Sequence, residues 1–323
     1  MSLELTLQNA LSGLQTSQIA LQTISNNIAN ANTEGYSRQI VQQNARVIDG
    51  RGFGVELGQI NRNVDEGILR LLRTETGTTQ KLTLQENFLS QINQFFGRPE
   101  DNSSITHLMA ELGSQFDALA VTPETEATHF MAVSAGKDIL RELKQMSDEI
   151  QRLRSNANTK ISSAITEFNT AVDTVFKANT QVVEFTISNL PTAESEDQRD
   201  RALNTMSEIM DIGYFESSSG ALTVFGGGGQ NIVSGSKTQK LTFTSPSTMT
   251  GSIEYTPPSA SNYIAPGTTG HPVGGIPGIF AGEESSSTDI TPNILNGRLK
   301  GLIDMRDSEL PALQAQLDEL AEK

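Results

Sequence analysis

This 323-residue sequence predicts a mainly α fold with a β-rich portion: an elongated helical bundle or coiled-coil domain plus a small antiparallel β region. Three observations carry that reading. Apolar residues recur at heptad-like steps through three long stretches, from Leu3 to Ala31, from Val64 to Leu119 and from Thr125 to Ile187. From Ile212 onward, β-branched and polar residues alternate between Gly and Ser turns. Apolar residues make up only 36% of the chain and aromatics 5%, with no Trp, which is thin for a compact enzyme and ordinary for long helices.

The first helix is the clearest element. Leu3, Leu7, Ala10, Leu14, Ser17, Leu21, Ile24, Ile28 and Ala31 step alternately by four and three, a heptad seam that Leu5, Leu11 and Ile19 widen. No charged residue lies between Leu5 and Asn32, and the outer face is Gln, Asn, Thr and Ser. A solvated single helix would usually carry Glu–Lys pairs, so this one reads either as an ordinary amphipathic core helix or as a helix made to pack on several neighbours. It should end at Asn26, Asn27, Asn30 and Asn32, because Asn side chains compete for nearby backbone groups, with Gly35 supplying the turn.

Residues 39–64 read as short strands around Gly50, Gly52, Gly54 and Gly58. Helical pattern resumes near Val64 through Leu82, Leu89, Ile92 and Phe96, breaks at "GRPEDNSS", and continues from Ile105 to Leu119, with Pro123 closing it. The longest helix is predicted over Thr125–Ile187. Leu143, Met146, Ile150 and Leu153 keep a heptad there, Ala157, Ile161 and Ile165 step by four as in a coiled-coil stutter, and Phe168, Val172 and Val175 restore the rhythm. Pro191 precedes another helix to about Met210. Short strands follow from Ile212, residues 258–290 read as loop, and Asn296-Gly297 opens a final helix striped by Leu299, Ile303, Leu310, Leu313, Leu317 and Leu320, with Pro311 a kink or restart. The chain stops at Lys323 inside that stripe, so the natural protein is expected to continue. The resulting division is 1–40, a heptad assembly segment; 41–211, a helical bundle with strands at its start; 212–290, β-rich and loop; and 291–323, a returning helix.

Composition narrows the chemistry. Acidic residues outnumber basic ones 38 to 23, which disfavours nucleic acid and anionic membranes as partners. Without Cys there are no disulfides, thiolate metal sites or thiol nucleophiles. No run of 18 apolar residues spans a membrane, and the N-terminus lacks a secretory leader. "GGGGQNIVSGSKT" lacks the Gly-Lys-Ser/Thr of a phosphate loop and reads as a hairpin. His107, His129 and His271 show no metal spacing. "ESEDQRDR", residues 194–201, reads as a solvated helix face. No catalytic, cofactor-binding or metal constellation emerges, and the chain reads as no enzyme with no cofactor.

One motif is specific. "SNNIANANTEGYSRQ" resembles the shared N-terminal signature of bacterial flagellar rod, hook and hook-associated axial proteins, on Asn26, Asn27, Ile28, Ala29, Asn30, Thr33, Gly35 and Tyr36. Its continuation through Arg38 and Gln39 is similar to the hook-associated protein 1 family. "GVELGQINRNVDEGILRLLR", the segment "EDQRDRALNTMSEIMDIGYFESSSGALTVFGGGGQNIVSG" and "GRLKGLIDMRDSELPALQAQLDELA" resemble that family in the same order. Family members continue into a variable domain and a C-terminal heptad helix that pairs with the N-terminal one. Lacking that mate here, the Leu3–Ala31 helix is expected to fray, since a lone stripe is marginal.

The resemblance implies a secreted structural subunit, exported unfolded and assembled through its terminal helix at the hook–filament junction of the bacterial flagellum. The implied partners are further copies in the axial tube, the hook protein, a second hook-associated protein and an export chaperone. The packing seam would be Leu3, Leu7, Ala10, Leu14, Ser17, Leu21 and Ile24, and the Asn-rich motif would make turns and intersubunit contacts. Rival readings are a rod or hook protein, a secreted adhesin using the β-rich segment around Leu222–Tyr255, and a cell-wall hydrolase.

Overall fold

The computed structural model describes residues 3–48, 51–96, 104–235, 237–244, 278–282 and 288–322. The described chain is mainly helical with small antiparallel sheets, and it falls into two compact units, residues 1–76 with 168–240 and residues 77–167 with 241–323.

The first unit opens with α1, Leu3–Ala29, followed by β1, Gln39–Ile48, and β2, Arg51–Arg62. The segment expected as short strands is thus one long hairpin. Gly52, Gly54 and Gly58 lie inside β2 instead of breaking it, and at both register shifts, opposite Val41–Gln43 and opposite Ala45–Val47, β2 carries the extra residue and bulges. The unit also holds the first turns of α2, Glu66–Phe96, and the end of α4, Glu126–Ile187. It is completed by α5, Ala193–Ile209, and a four-stranded sheet in sequential order: β3, Ile212–Glu216; β4, Leu222–Gly226; β5, Asn231–Ser234; β6, Lys237–Thr238. The glycine run after β4 makes the turn into β5, where Gly228 and Gly229 take positive φ. Asn179 of α4 both donates to the Leu222 carbonyl (2.7 Å) and accepts from its N–H (3.1 Å), so one buried amide fixes the sheet to the helix.

The second unit takes the rest of α2 and α4, with α3, Ile105–Val121, capped by Ser104, whose hydroxyl accepts from the His107 N–H. A small sheet follows, β7 (Leu241–Thr242), β8 (Phe280–Ala281) and β9 (Thr288–Asp289), then α6, Gly297–Asp304, and α7, Leu310–Glu322. Between α6 and α7 lies a five-residue π-helical turn, Met305–Glu309, in which the Leu310 N–H bonds the Met305 carbonyl. Pro311 cannot donate and its ring would crowd the preceding turn, and the wider turn provides the room; this is the physical form of the expected kink.

The predicted stripe of α4 is the core. Met146, Ile150, Leu153, Ala157, Ile161, Ile165, Phe168, Val172 and Val175 are all buried, including the three that step by four. Across from α4 in the second unit, α6 and α7 present polar groups as well. Ser147 and Gln151 donate to Gln314 Oε1, Arg154 donates to the Gln151 amide oxygen, and Arg306 donates to Asn158 Oδ1 (3.0 Å). Such a buried ladder discriminates helix register, because a slip would strand every member without a partner. The loop expected over residues 258–290 lies largely outside the described residues, as do His271 and most of the chain between β7 and β8.

Candidate functional site

The two long faces of α1 have opposite fates. The side turned to the hairpin carries Asn9, Ser12, Thr16, Thr23 and Asn27, and only Thr16 and Thr23 are fully buried. Their hydroxyls donate within the helix, Thr16 to the Ser12 carbonyl (2.9 Å) and Thr23 to the Ile19 carbonyl (3.0 Å). That leaves their methyl groups for the hairpin. Ser12 Oγ accepts from the Val55 N–H (3.2 Å). The approach there is close enough to require glycine: Gly54 has φ +96°, and a Cβ on it would stand 2.2 Å from Ser12 Oγ and 3.3 Å from the Asn9 Cα.

The other side is open. Leu3, Leu7, Leu14 and Leu21 are 90%, 70%, 58% and 66% exposed, and Ala10, Leu11, Ser17, Ile24 and Ile28 are exposed with them. In the structure α1 is a continuous helix over Leu3–Ala29, and its polar side has a seat on the hairpin, invisible in the heptad pattern, that leaves the apolar seam uncovered.

The Asn-rich motif is a joint. Asn30 caps the end of α1, its Nδ2 donating to the Asn26 carbonyl (3.0 Å) while its Oδ1 accepts from Thr33 (3.2 Å). Asn27 reaches forward to the first residue of β1: it donates to the Gln39 carbonyl and accepts from the Gln39 N–H, both at 2.9 Å, and accepts from the Tyr36 hydroxyl (2.9 Å). Ala29 is the last residue of α1, and Arg38 pairs the hairpin base by accepting from the Asn63 N–H (2.8 Å). Gly35, at φ +74°, lies under the aliphatic part of Arg201, whose Nη1 donates to the Gly35 carbonyl (3.2 Å). Partial burial, then the nearby Asp197 and Glu194 carboxylates, raise the Tyr36 hydroxyl pKa.

The acidic run on α5 meets this joint. Arg62, at the end of β2 with its side chain only 4% exposed, contacts four carboxylates: Glu196 (2.6 Å), Asp197 (2.9 Å), Asp200 and, more distantly, Glu66 (3.9 Å). Asp197 is fully buried, and its second oxygen accepts from the Ser37 N–H (3.0 Å). Arg73 of α2 donates to Asp200 (2.8 Å) and to Asn204 (2.8 Å), reaches the Tyr214 hydroxyl, and lies over that ring. Burial would raise the Asp200 carboxyl pKa, but the Arg62 and Arg73 guanidiniums outweigh it and hold it below the usual carboxylate value. Glu216 goes the other way, raised by burial that Arg199 only partly offsets.

The solvated-face reading of residues 194–201 is therefore corrected: Ser195, Asp197 and Arg199 are buried. A signal existed. Glu196 and Asp200, four residues apart on one helix, repel unless a cation from elsewhere joins them. What the sequence could not supply was the identity of that cation, more than a hundred residues away. Ser12, Arg62 and Arg73 carry no local signal in the sequence for the same reason. Among the described residues no cluster of His, Asp or Glu is arranged to hold a metal ion, and no helix is long and apolar enough to cross a membrane.

A family model described as the flagellar hook-associated protein FlgK helical domain matches residues 89–323, well over half of the chain. The chain belongs to the FlgK family of flagellar hook-associated proteins. A second model, the flagella basal body rod protein, matches residues 7–36, most of α1 and most of the joint. The family is a structural flagellar component and not an enzyme family. Among curated proteins, flagellar hook-associated protein 1 of Salmonella typhimurium is 22% identical over 98% of this chain and 54% of its own length. The Escherichia coli protein of that name is 24% identical over 73% of this chain and 44% of its own. The chain thus spans about half the length of the curated relatives it matches. Among solved structures, the flagellar hook junction protein FlgK of Burkholderia pseudomallei shares the fold, with a TM-score of 0.61 at 20% identity, over 78% of this chain and 41% of that one.

Proposed function

We propose that this chain is a structural subunit of the bacterial flagellum that forms the junction between hook and filament and assembles through α1. The observation that carries the reading is the uncovered seam of Leu3, Leu7, Leu14 and Leu21 on a helix already seated by its opposite side. A soluble surface has little reason to hold such a stripe free of charge over more than six turns, whereas burying one exposed Leu in an assembly gains roughly 1.5–3 kcal/mol. The names of the relatives support the same reading. Its partners are further copies, the hook protein and a second hook-associated protein, and export proceeds unfolded with a chaperone's help. In this reading Asn26, Asn27, Ile28, Ala29, Asn30, Thr33, Gly35, Tyr36, Arg38 and Gln39 form the assembly joint.

Leu14→Asp and Leu21→Asp test it. Both side chains face solvent, so folding should change by no more than about 0.5 kcal/mol. A carboxylate on the seam would then have to be desolvated on assembly, at a cost of several kcal/mol. Expected are a native circular-dichroism melt and hooks that carry no filament, in cells deleted for the corresponding protein. Normal filaments on those hooks would sink the proposal.

A further inference from the structure

We propose that Asp197 is a positioning residue that fixes the direction in which α1 leaves α5, by gripping both feet of the β1–β2 hairpin at once. The proposal deepens the assembly reading, which supplies the reason for α1 to need a fixed direction. The geometry stands apart from it.

Asp197 sits at the fifth position of α5, past the turn where a carboxylate would serve as an N-terminal cap, and its side chain is 0% exposed. A buried carboxylate there is costly, and an apolar residue of similar size would pack the helix without that cost. Neutralising Arg62 does not require it, because Glu196 and Asp200 already contact the same guanidinium. What Asp197 alone does is bridge. One oxygen takes Arg62, the last residue of β2; the other takes the Ser37 N–H, two residues before β1 begins.

From Ser37 the connection continues without a soft link. Tyr36 donates to Asn27, and Gln39 exchanges two hydrogen bonds with the same Asn27 on the last turns of α1. The hairpin base is itself closed by Asn63 on Arg38. Two-point contacts resist rotation as well as separation, so α5, the hairpin feet and the end of α1 are tied in series. Asp197 is the member of that series that is fully buried and charged, and so the one with least freedom to be replaced by water.

The chain has no Cys, so paired nitroxides can be placed cleanly on the whole 323-residue protein, at Gln22→Cys on α1 and Lys177→Cys on α4, both exposed and both within the first unit. Electron–electron resonance should give one narrow distance distribution. Asp197→Ala should broaden or displace it, and amide exchange at Ser37 should accelerate on the order of tenfold to a hundredfold, as loss of a charge-assisted hydrogen bond implies. Leu222→Ala, a core truncation in the same unit, should lower the melting temperature yet leave the distribution narrow.

If Asp197→Ala fails to fold, Asp197→Asn decides: it keeps an acceptor for Ser37 but loses the charge for Arg62, and should give an intermediate width. A distribution that superimposes on the unsubstituted one in whichever of these variants folds, or a Leu222→Ala distribution as broad as theirs, overturns the positioning role. Displaced distances together with normal filaments would uphold it and refute instead the assembly reading on which its purpose rests.

Discussion

Replacing Gly54 by Ala isolates the seat of α1 from everything else in the fold. The backbone at Gly54 has φ +96°, where an L side chain costs about 1–2 kcal/mol. The new methyl would meet Ser12 Oγ at 2.2 Å, which is impossible, and the Asn9 Cα at 3.3 Å, which is tight. Ser12 can rotate away, but its hydroxyl then leaves the Val55 N–H, and that lost bond costs about another 1 kcal/mol. The sum is roughly 2–3 kcal/mol, of which the strain falls on the hairpin backbone and about 1 kcal/mol on the α1–hairpin contact. Hydrogen exchange read residue by residue should show protection falling at Val55 and along α1 while the buried stretch of α4 is unchanged. Ser12→Ala removes the clashing oxygen, so the double variant should be less damaged than the two single effects added together, by about 1 kcal/mol. Additive losses, or Gly54→Ala with full protection at Val55, would refute the idea that Ser12 and Gly54 make the seat.

Two further outcomes are expected. Asp200 has a folded pKa held below its ordinary 3.8, so its contribution to stability is present above that value and is lost as pH falls through the folded one. Asp200→Asn should therefore lower the urea midpoint at neutral pH and flatten its decline below about pH 4, and an unchanged acid limb would contradict the paired state of Asp200. Asn179→Ala strands both polar groups of Leu222 in a buried position and should cost about 2–4 kcal/mol, seen as lost amide protection across β3 and β4 before α4 is affected.

Helix periodicity carried most of the fold in plain sight. The α4 stripe is buried as its spacing implies, even where Ala157, Ile161 and Ile165 depart from the heptad, because a continuous helix obliges every apolar step to find the same core. The hairpin was harder. Glycines usually punctuate strands, and nothing local tells that Gly54 is there for the close approach of Ser12. The charge run on α5 looks solvated in sequence because burial of Asp197 depends on Arg62, a partner fixed only by tertiary packing. The seam of α1 was legible as a stripe, but its exposure was not, since periodicity shows two faces without telling which one the rest of the chain will cover.

The polar underside of α1 has a mechanical consequence. Thr16 and Thr23 satisfy their hydroxyls within their own helix, so the middle of that surface is smooth and offers the hairpin nothing to hook. Grip is confined to Ser12, in the third turn of α1, and Asn27 near its end, 15 positions apart in sequence. At 1.5 Å per residue that is a span of about 22 Å, resting on a slick bearing between two pins. A beam held in this way cannot slide or roll, yet it can bow, so its leucines keep their order and spacing while still yielding to whatever curvature the surface opposite them demands.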